Sequence, residues 1–368
     1  MRATINRLFF TLTKSLDGPL MIAFVVLAAI SLAVVYSASG GLTFDRALGQ
    51  ARNFCIGLIV MWVIANIPPQ ALMRFAIPVY LVGLCLLIGV WQFGEIRNGA
   101  RRWLNIGFTI QPSEIMKIGM PLLLAWYFHR REEGLKLLDY AVAGVILIVP
   151  TFLVMRQPDL GTAILIFSAG FFVIFFAGIS WKLLIGGAIA GLASLPLVWN
   201  YVLHDYQRDR VLTLVDPTSD PLGAGYHIIQ STIAIGSGGV LGKGWQAGSQ
   251  AQLDFIPERS TDFILAVFGE EFGLIGLLVL FALYMIIIGR GLMISINAPT
   301  TFSRLLGGAV TLSFFTYAFV NIGMVTGILP VVGVPLPLMS YGGTAILSMC
   351  ISFGMLMSIA THKQLVST

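Results

Sequence analysis

A chain of 368 residues with 57% apolar and only 11% charged residues, a net charge of +5 and a mean hydropathy of +0.89 does not have the composition of a soluble protein. A water-facing surface needs roughly a quarter of its residues charged. The apolar runs approach the roughly 20 residues a helix needs to cross a bilayer, and strand punctuation is low, so an all-α polytopic membrane protein is expected rather than a barrel. Residues 1–19 carry Arg2, Arg7 and Lys14 with no small-residue cleavage site before the first apolar run, so no cleaved signal peptide is expected. Cys55, Cys85 and Cys350 all fall within apolar runs and read as small buried residues, neither disulfide nor metal ligands.

In chain order the apolar segments fall at 20–38, 51–67, 72–91, 113–128, 140–155, 161–179, 183–200, 263–289, 303–325 and 340–360, ten spans in all. An even count puts both termini on one side. With the termini inside, eleven Lys and Arg lie on the cytoplasmic face and ten outside, so the tally itself barely discriminates. The first tail and the short Arg130, Arg131, Lys136 loop carry the most weight in the positive-inside rule, and both favour cytoplasmic termini. The outward charge is bunched: Arg97, Arg101 and Arg102 in one loop, and Arg208, Arg210, Lys243 and Arg259 in another. Such clusters either hold phosphate or lipid head groups or pair with the seven acids between Asp205 and Asp262.

The fourth span opens on Gln111-Pro112-Ser113, a helix-start signal, and places Glu114 and Lys117 three apart on one face. They read either as a structural ion pair or as a substrate-facing lysine positioned by its glutamate. Asp159, in the tight turn Arg156-Gln-Pro-Asp-Leu160, is similarly open.

Residues 201–261 are the single large extramembrane piece expected. Within it Tyr226–Ile235 is too short to span and reads as a surface-lying or re-entrant helix. The run Gly236-Ser-Gly-Gly-Val-Leu-Gly-Lys-Gly-Trp245 is not a Walker A loop, because Gly244 stands where Ser or Thr is required. A flexible loop is expected there, with a nest of N–H groups as the alternative.

Asp254 to Gly273 joins this polar piece to the next span and crowds Asp254, Glu258, Asp262 and the Glu270/Glu271 pair at the junction. An ionisable residue at a membrane boundary is a functional candidate. The alternative is that Ser260, Thr261 or Asp262 caps the helix that follows. Beyond it, Pro330, Pro335 and Pro337 prevent regular helix between the last two spans, and broken backbone at membrane depth lines a cavity or is sheltered by protein.

Taken together, Asn98-Gly-Ala-Arg-Arg-Trp-Leu104, Gln111-Pro-Ser-Glu-Ile-Met-Lys117, Gln157-Pro-Asp-Leu-Gly-Thr162, Gln230-Ser231, Asp254-Phe-Ile-Pro-Glu258 with Thr261-Asp262-Phe263, Gly269-Glu-Glu-Phe-Gly273 and Gly333-Val-Pro-Leu-Pro-Leu-Met-Ser-Tyr-Gly-Gly343 resemble the SEDS family (shape, elongation, division and sporulation) over essentially the whole chain. The resemblance implies a single transmembrane domain in the bacterial inner membrane. It implies a peptidoglycan glycosyltransferase that polymerises lipid II, using undecaprenyl-diphosphate-linked glycan, on the periplasmic side. Its expected partners are a class B penicillin-binding protein that supplies transpeptidation, other elongation-complex membrane proteins and membrane lipid, with no nucleic acid.

The resemblance also makes Asp262 the expected catalytic residue and Glu114 with Lys117 residues needed for function. Inverting displacement of a diphosphate from an α-linked donor needs a base for the attacking 4-hydroxyl, a role that suits a carboxylate where lipid meets water. Lys117, Arg101, Arg210 and Lys243 are the candidates to stabilise the departing diphosphate. Gln111 and Ser340 are expected to bind substrate beside them. The acids clustered near Asp262 are also of the kind that takes Mg²⁺ or Mn²⁺. A lipid II flippase is the rival reading and a pure scaffold the third. A flippase wants its ionisable groups near the bilayer middle, whereas these gather at one boundary.

Overall fold

The computed structural model describes residues 15–40, 44–97, 100–105, 107, 109–132, 134–203, 205–220 and 223–362. Arg2, Arg7 and Lys14 lie outside them, as do Asn98 and the side chain of Arg101. The chain is a helical, polytopic membrane protein. Among the described residues eight helices are long and apolar enough to cross a bilayer. They are α1 (Gly18–Ala38), α2 (Asp45–Ala65), α4 (Ala76–Phe93), α6 (Leu137–Met155), α8 (Trp181–Leu197, with a π-turn to Val202), α12 (Ile264–Ile296), α13 (Thr301–Val325) and α14 (Gly343–Thr361).

The two remaining expected spans form helices that differ in kind. α7 (Leu160–Phe176) is apolar but has only 17 residues. α5 (Pro112–His129) carries Glu114, Lys117 and Pro121, which lower its apolarity. The shorter helices are α3 (Pro69–Arg74), α9 (Asp205–Val215), α10 (Ala224–Ser237) and α11 (Ser249–Gln252).

Local chemistry sets the helix starts. Asp17 Oδ1 accepts from Leu20 N at 3.2 Å ahead of α1, Asp159 Oδ1 from Thr162 N at 3.1 Å ahead of α7, and Thr300 Oγ1 from Ser303 N at 3.2 Å ahead of α13. α13, the most buried of the long helices, packs on α12, α7, α5 and α14; α14 lies along α2, and α12 along α1. α8 stands apart with no buried residue.

Three features depart from the expectations. First, the loop after α4 folds into a small antiparallel sheet, β1 (Glu95–Arg97), β2 (Ala100–Asn105) and β3 (Thr109–Ile110), in the order β1-β2-β3. Leu104 faces Ile110 and Asn105 faces Thr109 across the second pairing.

Second, only Cys350 is buried; Cys55 and Cys85 are exposed on the flank of the bundle. An apolar residue on a face turned to lipid has no need of burial.

Third, the glycine run is not a flexible loop. α12 is broken at Gly273, whose φ of 63° and ψ of −162° are not helical. The break frees backbone groups, and the glycine run supplies their partners. Lys243 N and Gly244 N donate to the Glu270 and Glu271 carbonyls, both at 3.0 Å. Leu274 N and Ile275 N donate to the Gly239 and Val240 carbonyls at 3.0 and 3.2 Å. A Cβ on Gly242 would lie 2.1 Å from the Glu271 oxygen, so the approach requires glycine. These N–H groups face helix carbonyls, which also sets aside the anion nest.

Candidate active site

Asp262 sits in the turn just ahead of α12, and its backbone is tied down from several directions. Asn321 Nδ2, fully buried on α13, donates both to the Asp262 carbonyl at 2.8 Å and to the Val334 carbonyl at 2.7 Å. Ser340 Oγ donates to the Thr261 carbonyl at 2.6 Å and accepts from Leu336 N at 2.7 Å. Tyr341 N donates to the Ser260 carbonyl at 2.9 Å, and Arg46 reaches the Ser260 hydroxyl at 2.7 Å. Gln50, on α2, holds the Ser340 carbonyl in turn, at 2.9 Å.

The carboxylate itself is treated differently. Among the described residues no hydrogen bond or ion pair engages it, and it does not cap α12, whose first residues have no side-chain cap at all. Thr261 Oγ1 turns back to Glu258 instead, at 2.8 Å. The capping alternative for this aspartate therefore fails on geometry.

Charge surrounds the half-buried group without touching it. Burial and then Glu258 push the Asp262 carboxyl up to about 6, opposed by Arg210 and Arg102. Glu258 holds a left-handed backbone, φ 51°, as does Leu338 across the site, φ 59°. Non-glycine residues seldom adopt this conformation outside sites that over-determine them.

A third turn closes the arrangement. Gly161 packs so tightly on the 332–334 backbone that a Cβ would lie 2.7 Å from the Val332 oxygen. This brings Asp159 to the site's edge, where it pairs with Arg102 at 3.6 Å and with Gln111 Nε2 at 3.5 Å. Arg102 also donates to the Pro158 carbonyl.

Lys117 and Glu114 form their ion pair at 2.7 Å, and the ammonium lies 5.1 Å from the Tyr317 ring. Glu114 Oε2 is buried with no hydrogen-bond partner among the described residues. Tyr317 and Asn321 are one turn apart on α13, hence on one face. One helix face therefore joins the Lys117 pair to the Asp262 turn.

The expected site residues thus divide. Asp262, Arg210, Gln111, Glu114 and Lys117 stand at one end of the bundle, together with Arg102 and Asp159, which the sequence left open, and Tyr317 and Asn321, which sequence reasoning did not single out. Polar residues inside the apolar pattern of α13 were the available signal for Asn321. Ser340 is present as well, but its hydroxyl is spent on the Thr261 carbonyl and Leu336 N. Lys243 is occupied elsewhere, paired at 2.7 Å with the fully buried Glu270 two turns down α12. Arg101 lies on β2 beside Arg102. Among the described residues no three His, Cys, Asp or Glu gather in a way that would hold a metal.

Comparison with known proteins places this arrangement. The model of the FtsW/RodA/SpoVE family, described as cell cycle protein, matches residues 18–365. The chain is 49% identical over 356 residues to the peptidoglycan glycosyltransferase MrdB of Escherichia coli (strain K12), covering 96% of this chain and 95% of that one. It is 33% identical over 361 residues to the probable peptidoglycan glycosyltransferase FtsW of Geobacter metallireducens, covering 95% of each. Among solved structures it resembles a chain of a peptidoglycan synthase complex that coordinates polymerization and crosslinking, with a TM-score of 0.82, 31% identity, and 95% and 98% of the two chains covered. It also resembles the rod shape determining protein RodA of Thermus thermophilus, with a TM-score of 0.72, 25% identity, and 95% and 97% covered.

Proposed function

Because the chain belongs to the FtsW/RodA/SpoVE family, we propose that it is a peptidoglycan glycosyltransferase that polymerises lipid II, with Asp262 as the base. The observation that carries this reading is a carboxylate fixed through its main chain by Asn321 and its neighbours, unbonded at its oxygens among the described residues and flanked by two arginines.

In the step, Asp262 takes the proton of the acceptor sugar's 4-hydroxyl as that oxygen forms its bond to the donor's anomeric carbon. The bond from that carbon to the lipid diphosphate breaks, and the configuration inverts from α to β. General-base help of this kind is worth about 10²–10⁴-fold. Arg102 and Arg210 meet the charge gathering on the departing diphosphate, with Arg101 and Lys117 as further cations on that side. A divalent cation belongs to the same proposal. With no three-ligand cluster among the described residues, it would come with the diphosphate and take Glu258 beside it, leaving the Asp262 carboxylate free to act as base.

The surroundings follow from the same reading. We place ten spans in a single transmembrane domain of the bacterial inner membrane, with both termini cytoplasmic and residues 201–261 periplasmic. Similarity to a synthase-complex chain supports a crosslinking partner, of the class B penicillin-binding type, and other elongation-complex membrane proteins beside it. The test is the purified chain with that partner and labelled lipid II, read as polymer length. Wild type yields glycan strands and Asp262→Asn does not. A well-folded Asn variant with near-wild-type polymer removes Asp262 from the chemistry. Transport of lipid II across vesicles without polymer would return the flippase reading.

A further inference from the structure

The end of the bundle away from Asp262 carries a second feature. α5 starts beside the site at Pro112 and ends at His129, and its 18 residues span about 27 Å, close to the roughly 30 Å of a hydrocarbon core. There a cleft of about 780 Å³ opens among α5, α7, α12 and α13, with Phe128, Phe176, Leu292 and Leu312 in its walls and Arg304 and Glu132 at its polar edge. Glu132 also borders an adjoining hollow of about 570 Å³ lined by Arg130, Arg131, Lys136 and Asp139. An apolar slot and a basic hollow therefore share one rim.

The charges there do not cancel. Asp139 is occupied by Arg131 at 2.8 Å, and Glu132 lies beside the Thr301 hydroxyl, His129 and Arg304. Arg130 is exposed, and its guanidinium makes no hydrogen bond or ion pair among the described residues. Four permanent cations, Arg130, Arg131, Lys136 and Arg304, thus outnumber the acids of this end, Glu132, Glu133 and Asp139, of which Glu133 lies outside the described residues. We propose that this cleft binds an anionic glycerophospholipid of the adjacent leaflet, its acyl chains in the apolar slot and its phosphate among Arg130, Lys136 and Arg304. A free phosphate has no use for the slot. A zwitterionic lipid would bring a further cation into a field already positive. The inference is independent of the glycosyl-transfer reading.

Native mass spectrometry of the detergent-purified chain, offered equal phosphatidylglycerol and phosphatidylcholine, tests it. Wild type should retain the anionic lipid on the order of tenfold or more in preference, undisplaced by glycerol phosphate. The triple variant Arg130→Gln, Lys136→Gln, Arg304→Gln should lose the preference. Leu312→Trp, which fills the slot and leaves every charge in place, should lose retention, and Ala177→Trp on another wall serves if that variant fails to fold. Equal retention of the two lipids by wild type overturns the proposal. So does full retention by folded slot-filling variants, which would reduce the effect to attraction of a basic loop to anionic surfaces.

Discussion

At the scale of single residues, burial and the neighbouring Glu258 push the Asp262 carboxyl up to about 6, so the acid limb of kcat/KM for polymerisation is expected near pH 6 rather than near 4. Glu258→Gln should move that limb to lower pH, and Arg210→Gln to higher. A limb that stays put in both variants would show that another group is being titrated. The same shift has a stability counterpart. An aspartate whose folded value lies above its ordinary 3.8 costs stability as pH rises from about 4 through 6, because the unfolded chain ionises first. Asp262→Asn should therefore melt higher than wild type at pH 7.5 and alike at pH 4, while polymerisation falls by at least about 10²-fold. Asn321→Leu should weaken activity by releasing the Asp262 carbonyl, and it should broaden the pH profile, which a purely structural loss would not do. Asp262 and the Glu114/Lys117 pair were legible in the sequence because charges stand out in apolar runs. Asn321 and Tyr317 were not, because a hydroxyl or an amide in a helix gives no hint of which distant carbonyl or ammonium it meets.

At the scale of elements, the broken α12 and the glycine run form one unit, and Lys243 is its fastener. Lys243→Ala leaves Glu270, fully buried, with backbone and Ser249 donors but no counter-charge. The loss is expected at about 1–3 kcal/mol, below the usual cost of a broken buried pair because Lys243 is itself partly exposed. A thermal-shift measurement reads this directly. Were Lys243 instead a diphosphate ligand, the variant would melt normally and bind lipid II poorly. Gly242→Ala should be worse, since its φ of 78° and the Glu271 carbonyl both exclude a Cβ. Eight of the ten expected segments are helices long and apolar enough to cross a bilayer, because burial in lipid leaves a compositional mark; hydropathy missed the polar start of α2 and the full length of α12. The docking of the glycine run could not, because it depends on a helix break 30 residues away that only backbone partners reveal. The small sheet escaped for a related reason: its strands are short and polar, and cross-strand pairing rather than pattern sets them.

At the scale of the whole molecule, the orientation is open to a direct test. With Cys55, Cys85 and Cys350 replaced, Ser219→Cys should react with an impermeant thiol reagent in spheroplasts and Lys136→Cys should not; the reverse pattern would put the Asp262 end in the cytoplasm. The site is also assembled from parts far apart in the chain. The Asp262 turn takes its shape from Asn321 on α13 and from Ser340 and Tyr341 ahead of α14. Synthesis runs from the N-terminus, so Arg46 is already in place when Asp262 leaves the ribosome, but Asn321, Ser340 and Tyr341 are still to come. On the proposed reading, the chain still being threaded into the bilayer has no fixed base, and activity is expected only once the final helix arrives. A chain ended at residue 326 should therefore insert and yet make no polymer. Supplying the last segment as a separate co-expressed piece should restore some of it, making the C-terminal helix the timer of the enzyme's birth.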